Sequence, residues 1–397
     1  MSSKVNGFVA NGFEKIQKTF QEIISEAPDS GAAVSIWHEG ENVVNLWGGI
    51  ANRDTKAAWV EDTKVVVFSS TKGLMSLALA LLFQAGKFSY EDLVSKYWPE
   101  YQNAGKEKTT IGQLVSHQAG VPYFAEDIDQ EQVINWDYMV SKIEQEAPLW
   151  QPGSAYAYHA ITHGWLTGEL VRRVSGMSPG EYLAREISAP LYADTWLGLP
   201  LELEFEVAPS YVHPELTSFF ADLEKKNTGP GNFLIRSLTL GGAFSINLVG
   251  KNKDFNSLAV HAAEIPGAGG ISTAYGISKI WSSVVHQTEG VRLLSDESIA
   301  HVTKVQSEGK PFTDLEPPYS KFGMGFQLDS AARRYLTNSS FGHDGVGGQC
   351  AFADPEHKIG FAFVTTEMRG GEVQDDRATK MIEDLREALK AKNNSLN

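Results

Sequence analysis

Ser69-Ser70-Thr71-Lys72 sets a hydroxyl and an amine three positions apart, on one face if the segment is helical. A serine needs help to act as a nucleophile near neutral pH. A lysine can take its proton if it is desolvated or set near other cations, so that its pKa falls toward the working pH. At the start of a helix Ser69 would also offer its own backbone N–H to a developing oxyanion, with the helix dipole adding to the effect. The chemistry this points to is acyl transfer through a serine. Spacing alone does not secure it, because about one S-x-x-K is expected by chance in a chain of this length. A second copy stands at Ser307-Glu308-Gly309-Lys310, but it runs into PFTDLEPP, which cannot form a buried helix, and reads as a solvated loop. The plain alternative for Ser69 is a helix N-cap with Lys72 as a first-turn surface residue.

Two further stretches carry groups that could complete such a site. In WQPGSAYAYHAITHGWLTGEL a Pro-Gly turn precedes Tyr158-His159-Ala160 and an apolar helix. Tyr158 can serve as a base if a nearby lysine cation stabilises its phenolate, since a phenol ordinarily titrates near pH ~10. The alternative is a core aromatic with its hydroxyl bonded. In SSFGHDGVGGQCAFADPE, His343, Asp344 and the glycines at 342, 345, 347 and 348 read as a tight passage before a strand. Glycine there lets a ligand approach the backbone, and the alternative is a plain hairpin turn. Tyr123 and Trp150 are candidates to line an acyl or alcohol pocket, with Phe124 beside them. His117 reads as a satisfied turn or core histidine, His159 and His163 as packing or pocket-wall residues, and Cys350 as a small buried residue. With no H-E-x-x-H and no paired cysteines, no metal site is expected, and the chemistry needs no cofactor.

The elements that must position these groups can be read coarsely. A polar helix over about 12–26 is followed by AAVSIWHEG and ENVVNLWGG, a hairpin around Glu-Gly that suggests the edge of a sheet. A short strand at Lys64–Phe68 runs into SSTKGLMSLALALLFQAGK, an apolar helix opened by serines and closed by Gly86. Helical patterns dominate from about 85 to 260. A helix over 272–287 then leads to FGMGFQLD, QCAFADPE and KIGFAFVTTEM, which read as antiparallel strands, and the chain ends in the amphipathic QDDRATKMIEDLREALKAK. Sheet and helix at both ends of a helical middle predict an α+β fold, an α/β sandwich with an antiparallel sheet flanked by helices. In it, 1–84 and 262–397 form a discontinuous α/β subdomain, 85–261 is an inserted, mostly helical one, and the active site lies in the cleft between them.

Bulk properties narrow the partners. A chain of 397 residues with 42% hydrophobic and 21% charged residues has the composition of a large globular core. A net charge of −15 with no run of lysine or arginine argues against nucleic acid or an anionic membrane as partner and suits a small neutral substrate. One cysteine permits no intramolecular disulfide, the N-terminal stretch lacks an apolar signal core, and no segment has the roughly 18 to 20 apolar residues needed to cross a bilayer, so a cytoplasmic protein is expected. A homo-oligomer is compatible with the sequence.

Taken together, SSTK, YHA and HDG resemble the motifs of the serine β-lactamase and penicillin-binding-protein superfamily, in its branch of class C β-lactamases and family VIII carboxylesterases. TTIGQLVSHQAGVP, PGAGGISTAYGISKI and FGMGFQL match that family's pattern too, and the likeness runs from about residue 12 to 385. The resemblance implies Ser69 as the acylated nucleophile and Lys72 with Tyr158 as the base and proton-shuttling pair. It also implies an oxyanion hole formed by the backbone N–H groups of Ser69 and Val346, worth a few kcal/mol. His343 and Gly345 would contact substrate where class C enzymes carry Lys-Thr-Gly. The chain departs from the class C pattern at Ala160, where those enzymes have asparagine, and at His343-Asp344-Gly345. Without the lysine's fixed charge, and with Asp344 adding a negative one, an anionic antibiotic should bind less well while uncharged esters lose nothing. The expectation is a carboxylesterase for short acyl esters. A β-lactamase, a D-amino-acid peptidase or an acyltransferase would use the same residues, and a scaffold that kept the fold without turnover is the reading from another class.

Overall fold

Gly31–His38 (β2) and Glu41–Asn52 (β3) pair as a hairpin whose two turn residues, Glu39 and Gly40, have φ of 53° and 80°, the twist that a tight antiparallel turn requires. The computed structural model describes residues 4–226, 233–313, 315–370 and 375–395. The hairpin is not the sheet edge that the sequence suggested: Val5–Val9 (β1) pairs outside β3. With both of its faces half-exposed, β1 has no apolar alternation to betray it.

The chain returns to this sheet only after residue 320, as Lys321–Phe322 (β4), Gln327–Leu328 (β5), Phe341–Gly345 (β6), Gln349–Asp354 (β7) and Ile359–Thr365 (β8). The order is β1-β3-β2-β8-β7-β6-β5-β4, antiparallel throughout, with Ala57–Ala58 paired off β3. β8 reads as a continuous apolar run because both its faces are buried. Ile359, Phe361 and Phe363 point toward Glu14–Glu26 (α1) and the C-terminal helix, while Ala362 and Val364 join the other core. The small residues on that second face let a helix come close: a β-carbon at Gly360 would fall 2.3 Å from the Ser278 carbonyl oxygen.

Four helices sandwich the sheet. α1 and Asp376–Ser395 (α5) cover one face through Phe20, Ile23, Met381 and Leu385. Ser70–Gln84 (α2) and Ala274–Val285 (α4) lie on the other, α4 being capped by the Thr273 hydroxyl, which accepts the Gly276 N–H. Between α2 and α4 come mostly helices, including Trp136–Gln145, His163–Ser175 (α3) and Phe233–Thr239. The apolar side chains of this middle region form one continuous core with α2, α4 and the near face of the sheet. The strand expected at 64–68 is Val65–Val66, but it pairs with Ile271–Ser272 in a separate three-stranded sheet with Thr195–Trp196 rather than joining the main one. Among the described residues no helix is long and apolar enough to cross a membrane.

Candidate active site

Every residue of α2 from Ser70 to Ala80 is buried, so a polar side chain on this helix faces protein whichever way it points. The helix start is fixed from three directions. Val67 donates its N–H to the Gly270 carbonyl at 2.8 Å, and the Thr71 hydroxyl donates to the Phe68 carbonyl and accepts the Gly270 N–H at 2.9 Å. The Ser70 hydroxyl donates to the His343 carbonyl at 2.9 Å, which ties the helix to β6. Between them Phe68 holds φ 44°, a left-handed conformation that costs a bulky residue of order 1–3 kcal/mol and is a mark of a constrained functional turn.

Ser69 stands at the N-cap but does not cap, since its own φ of −64° and ψ of −11° are already helical. Its hydroxyl oxygen instead meets Lys72 Nζ at 2.8 Å, and Nζ also donates to the Gly267 carbonyl at 2.7 Å. Lys72 is completely buried, so the surface-lysine alternative is overturned. Its Nζ lies 4.9 Å from the centre of the Tyr158 ring. Tyr158 is half-buried in the irregular segment ahead of α3, stacked on Phe322 at 6.0 Å and beside His343 at 6.0 Å. The sequence motifs of three distant segments therefore meet at Ser69, Lys72, Tyr158 and His343.

His343 and Asp344 do not form a turn before a strand, as expected, but lie within β6, so their side chains point to opposite faces. His343 Nδ1 donates to the Asp344 carbonyl at 2.7 Å, which leaves Nε2 as a lone-pair acceptor. Burial, with the Lys72 charge second, pushes this imidazole down to about 3, so it is neutral at working pH. The expectation that Asp344 adds negative charge to the cleft is corrected. Its carboxylate sits 2.6 Å from Arg333 Nε and accepts from the Tyr335 hydroxyl at 3.2 Å, on the side of the sheet that faces α1 and α5. Burial raises its pKa and the Arg333 guanidinium opposes that rise. Arg333 also donates to the thiol sulfur of the buried Cys350 at 2.9 Å.

Gly345 ends β6 against the residues that lead into Ser69, where a β-carbon would lie 2.3 Å from the Val67 carbonyl oxygen. Only glycine permits that approach, and the buried Val346 follows it in the chain.

The other candidates lie one layer out. Trp150 donates its indole N–H to the Gln118 carbonyl at 3.2 Å and packs on His159, Phe312 and Phe233. Tyr123 packs on Phe233 and under Arg236, while Phe124 is core. His159 and His163 are fully buried, and burial pushes His159 down to about 4 and His163 well below its ordinary value. Ala160 is buried with its N–H on the Ser237 hydroxyl at 2.9 Å. Ser307 is not a solvated residue: it is buried and its hydroxyl donates to the Ser116 carbonyl at 2.6 Å, while Lys310 is exposed. The sequence reading missed Gly267, Ser70 and Phe322 as supports of the site. They lie in PGAGG, SSTK and FGMGFQL, motifs that drew notice for other residues or as a whole rather than for these contacts.

Among the described residues no group of three or more His, Cys, Asp or Glu side chains is disposed to hold a metal ion. The family model described as Beta-lactamase matches residues 20–385. The chain is 27% identical to the esterase/beta-lactamase LipL of Mycobacterium tuberculosis, over 94% of this chain and 86% of that protein. Its fold is similar to a family VIII carboxylesterase at 28% identity, TM-score 0.86, covering 97% of this chain and 100% of the other. It is also similar to a penicillin-binding protein homolog from Caulobacter crescentus at 29% identity, TM-score 0.84, again over 97% and 100%.

Proposed function

Because the chain belongs to the beta-lactamase family, we propose that it is a serine carboxylesterase that cleaves short-chain esters through an acyl-enzyme on Ser69. Ser69 Oγ attacks the ester carbonyl while its proton passes through Lys72 and Tyr158 to the leaving alcohol oxygen. The C–O bond breaks, and water then attacks the acyl-enzyme to release the acid and restore the serine. Backbone N–H groups of Ser69 and Val346 hold the oxyanion. His343, Gly345, Tyr123 and Trp150 bound the substrate, in a cleft between the 1–84 plus 262–397 subdomain and the 85–261 subdomain. The partner in this reading is a small neutral ester, met in the cytoplasm, with no nucleic acid, membrane or cofactor involved.

The observation that carries the ester preference is His343. A buried, neutral imidazole that presents a lone pair offers no cation to a β-lactam's carboxylate and costs an uncharged ester nothing. Asp344 adds no charge on this side, because its carboxylate lies behind the sheet against Arg333. Likeness to a penicillin-binding protein homolog keeps D-peptide hydrolysis as the second reading, with the same nucleophile.

The test compares kcat/KM on p-nitrophenyl acetate, butyrate and octanoate, a chromogenic cephalosporin and a D-alanyl peptide. Esters should exceed the other two by about 100-fold or more, and folded Ser69→Ala should lose at least about 1,000-fold on esters. Preference for the cephalosporin or the peptide would replace the esterase reading. Full activity of folded Ser69→Ala would remove the nucleophile.

A further inference from the structure

Tyr158 lies in a segment, 155–159, with no helix or strand to fix its backbone, yet the reaction proposed above needs its phenol placed to within a fraction of an ångström. One residue grips the peptide on both sides of it. His117 leaves the helix Ile111–Val115 with φ 67°, a left-handed conformation uncommon outside glycine, and is fully buried. Its backbone carbonyl accepts the N–H of Ala157 at 3.2 Å, and its ring Nδ1 accepts the N–H of His159 at 3.2 Å. These are the residues immediately before and after Tyr158.

A backbone N–H only donates, so Nδ1 of His117 is unprotonated and the ring is the neutral tautomer with its hydrogen on Nε2. The ring is wedged between Tyr158 at 5.0 Å, His163 at 4.4 Å and Phe322 at 4.6 Å, which leaves it no alternative orientation that keeps the bond. The same loop grips the next residues as well. His159 Nε2 accepts the Val121 N–H at 3.1 Å, and the Thr162 hydroxyl donates to the Val121 carbonyl at 2.7 Å. Residues 117–121 thus template 157–162.

We propose that His117 is a positioning residue for the reaction, holding Tyr158 in place through the peptides at 157 and 159 and through ring contact, without touching substrate itself. The proposal rests on the assignment of Tyr158 as part of the proton relay. Phenylalanine at 117 keeps the volume but leaves the His159 N–H buried without an acceptor, which frees the segment to move toward one. Asparagine tolerates the left-handed backbone and places its side-chain oxygen near the position of Nδ1. Glutamine carries its oxygen too far.

The experiment measures kcat and KM on p-nitrophenyl butyrate for wild type, His117→Phe, His117→Asn, His117→Gln and Tyr158→Phe, and for His117→Phe in the Tyr158→Phe background. His117→Phe and His117→Gln should lower kcat by about 30- to 100-fold with KM within about 3-fold, and His117→Asn should keep at least about a third of wild-type kcat. In the Tyr158→Phe background His117→Phe should add less than about a 2-fold loss, because the group it positions is already gone. Losses that multiply in that background, or a fully active His117→Phe, overturn the proposal while leaving the esterase reading intact. If Tyr158→Phe alone is fully active, the relay assignment fails, and the proposal with it. Should His117→Phe not fold, the contrast between asparagine and glutamine carries the same test.

Discussion

Gly345→Ala adds one methyl group at the point where β6 meets the entry to α2. That carbon would sit 2.3 Å from the Val67 carbonyl oxygen and 3.2 Å from Phe68 Cβ. Carbon and oxygen in ordinary contact are about 3.4 Å apart, so the two segments must separate by roughly 1 Å. The Val67 carbonyl cannot swing aside, because it accepts the Ser70 N–H at 3.1 Å and its own residue is pinned by the bond from its N–H to Gly270. The strand end gives way instead, and Val346, the next residue, moves with it. If the N–H groups of Ser69 and Val346 hold the oxyanion, a shift of that size should lower kcat by about 100-fold, comparable to losing one donor. KM should change by less than about 3-fold, since the ground-state ester makes little use of these donors. The overpacking itself should cost about 1–3 kcal/mol, which leaves the protein folded. The assay is steady-state hydrolysis of p-nitrophenyl butyrate, with inhibition by a trifluoromethyl ketone that forms a tetrahedral adduct and a denaturant midpoint to confirm folding. Affinity for the ketone should fall by the same factor as kcat. A folded Gly345→Ala protein with wild-type kcat and undiminished ketone binding would refute the placement of the oxyanion hole.

Two predictions concern what holds the site. Arg333→Met leaves the Asp344 carboxylate buried without its cation and should lower unfolding free energy by about 3–5 kcal/mol in urea titrations, with Arg333→Met/Asp344→Leu recovering at least half of that; a single variant within about 1 kcal/mol of wild type would show that the pair does not hold β6. The second uses the buried histidines. His343 is held down to about 3 and His159 to about 4, and His117 and His163 lie well below their ordinary 6.5, in each case chiefly through burial. Their neutral forms are favoured by folding, so this stability is fully present above pH ~6.5 and is lost as pH falls toward the folded values, because only the unfolded chain takes up protons there. Each histidine contributes up to about 1.4 kcal/mol per pH unit in that window. Urea midpoints should therefore be level between pH 7 and 8 and drop steeply between pH 6 and 5, and a flat profile across that lower range would contradict the neutral cluster.

How far the sequence could be read depended on whether a residue's role was local. Ser69 and Lys72 share one turn of a helix whose apolar composition forces burial, so the pair was legible as a candidate within one segment, although its weight came from YHA and HDG farther along the chain. Tyr158 was visible as a motif, but what fixes it comes from residue 117 by way of two peptide N–H groups, and no periodicity reports such a bond. The error at Asp344 came from reading 342–345 as a glycine passage. Gly342 and Gly345 are there because neighbouring backbone comes too close for a side chain, and they hid a strand whose period of two sends His343 and Asp344 to opposite faces. β1 escaped notice for the converse reason, since a half-exposed edge strand needs no apolar face. Ser307 looked solvated because the loop around it is polar, yet its hydroxyl serves as a buried tie to the Ser116 carbonyl.

The charge distribution that results bears on substrate choice. His117, His159, His163 and His343 all feel the Lys72 charge, and each is kept neutral chiefly by burial. Protonating any of them would set a second cation against the first in a medium of low dielectric. None of these four imidazoles therefore adds a cation beside Lys72 and Ser69, and the Asp344 carboxylate on β6 is turned behind the sheet to Arg333. A substrate carboxylate that reached Ser69 would meet Lys72, and the proposed mechanism needs that amine to accept the serine's proton. A carboxylate that paired with Lys72 would hold it protonated and so oppose the step it must perform. An uncharged ester avoids that conflict, which is why the discrimination expected here should appear in kcat as well as in binding.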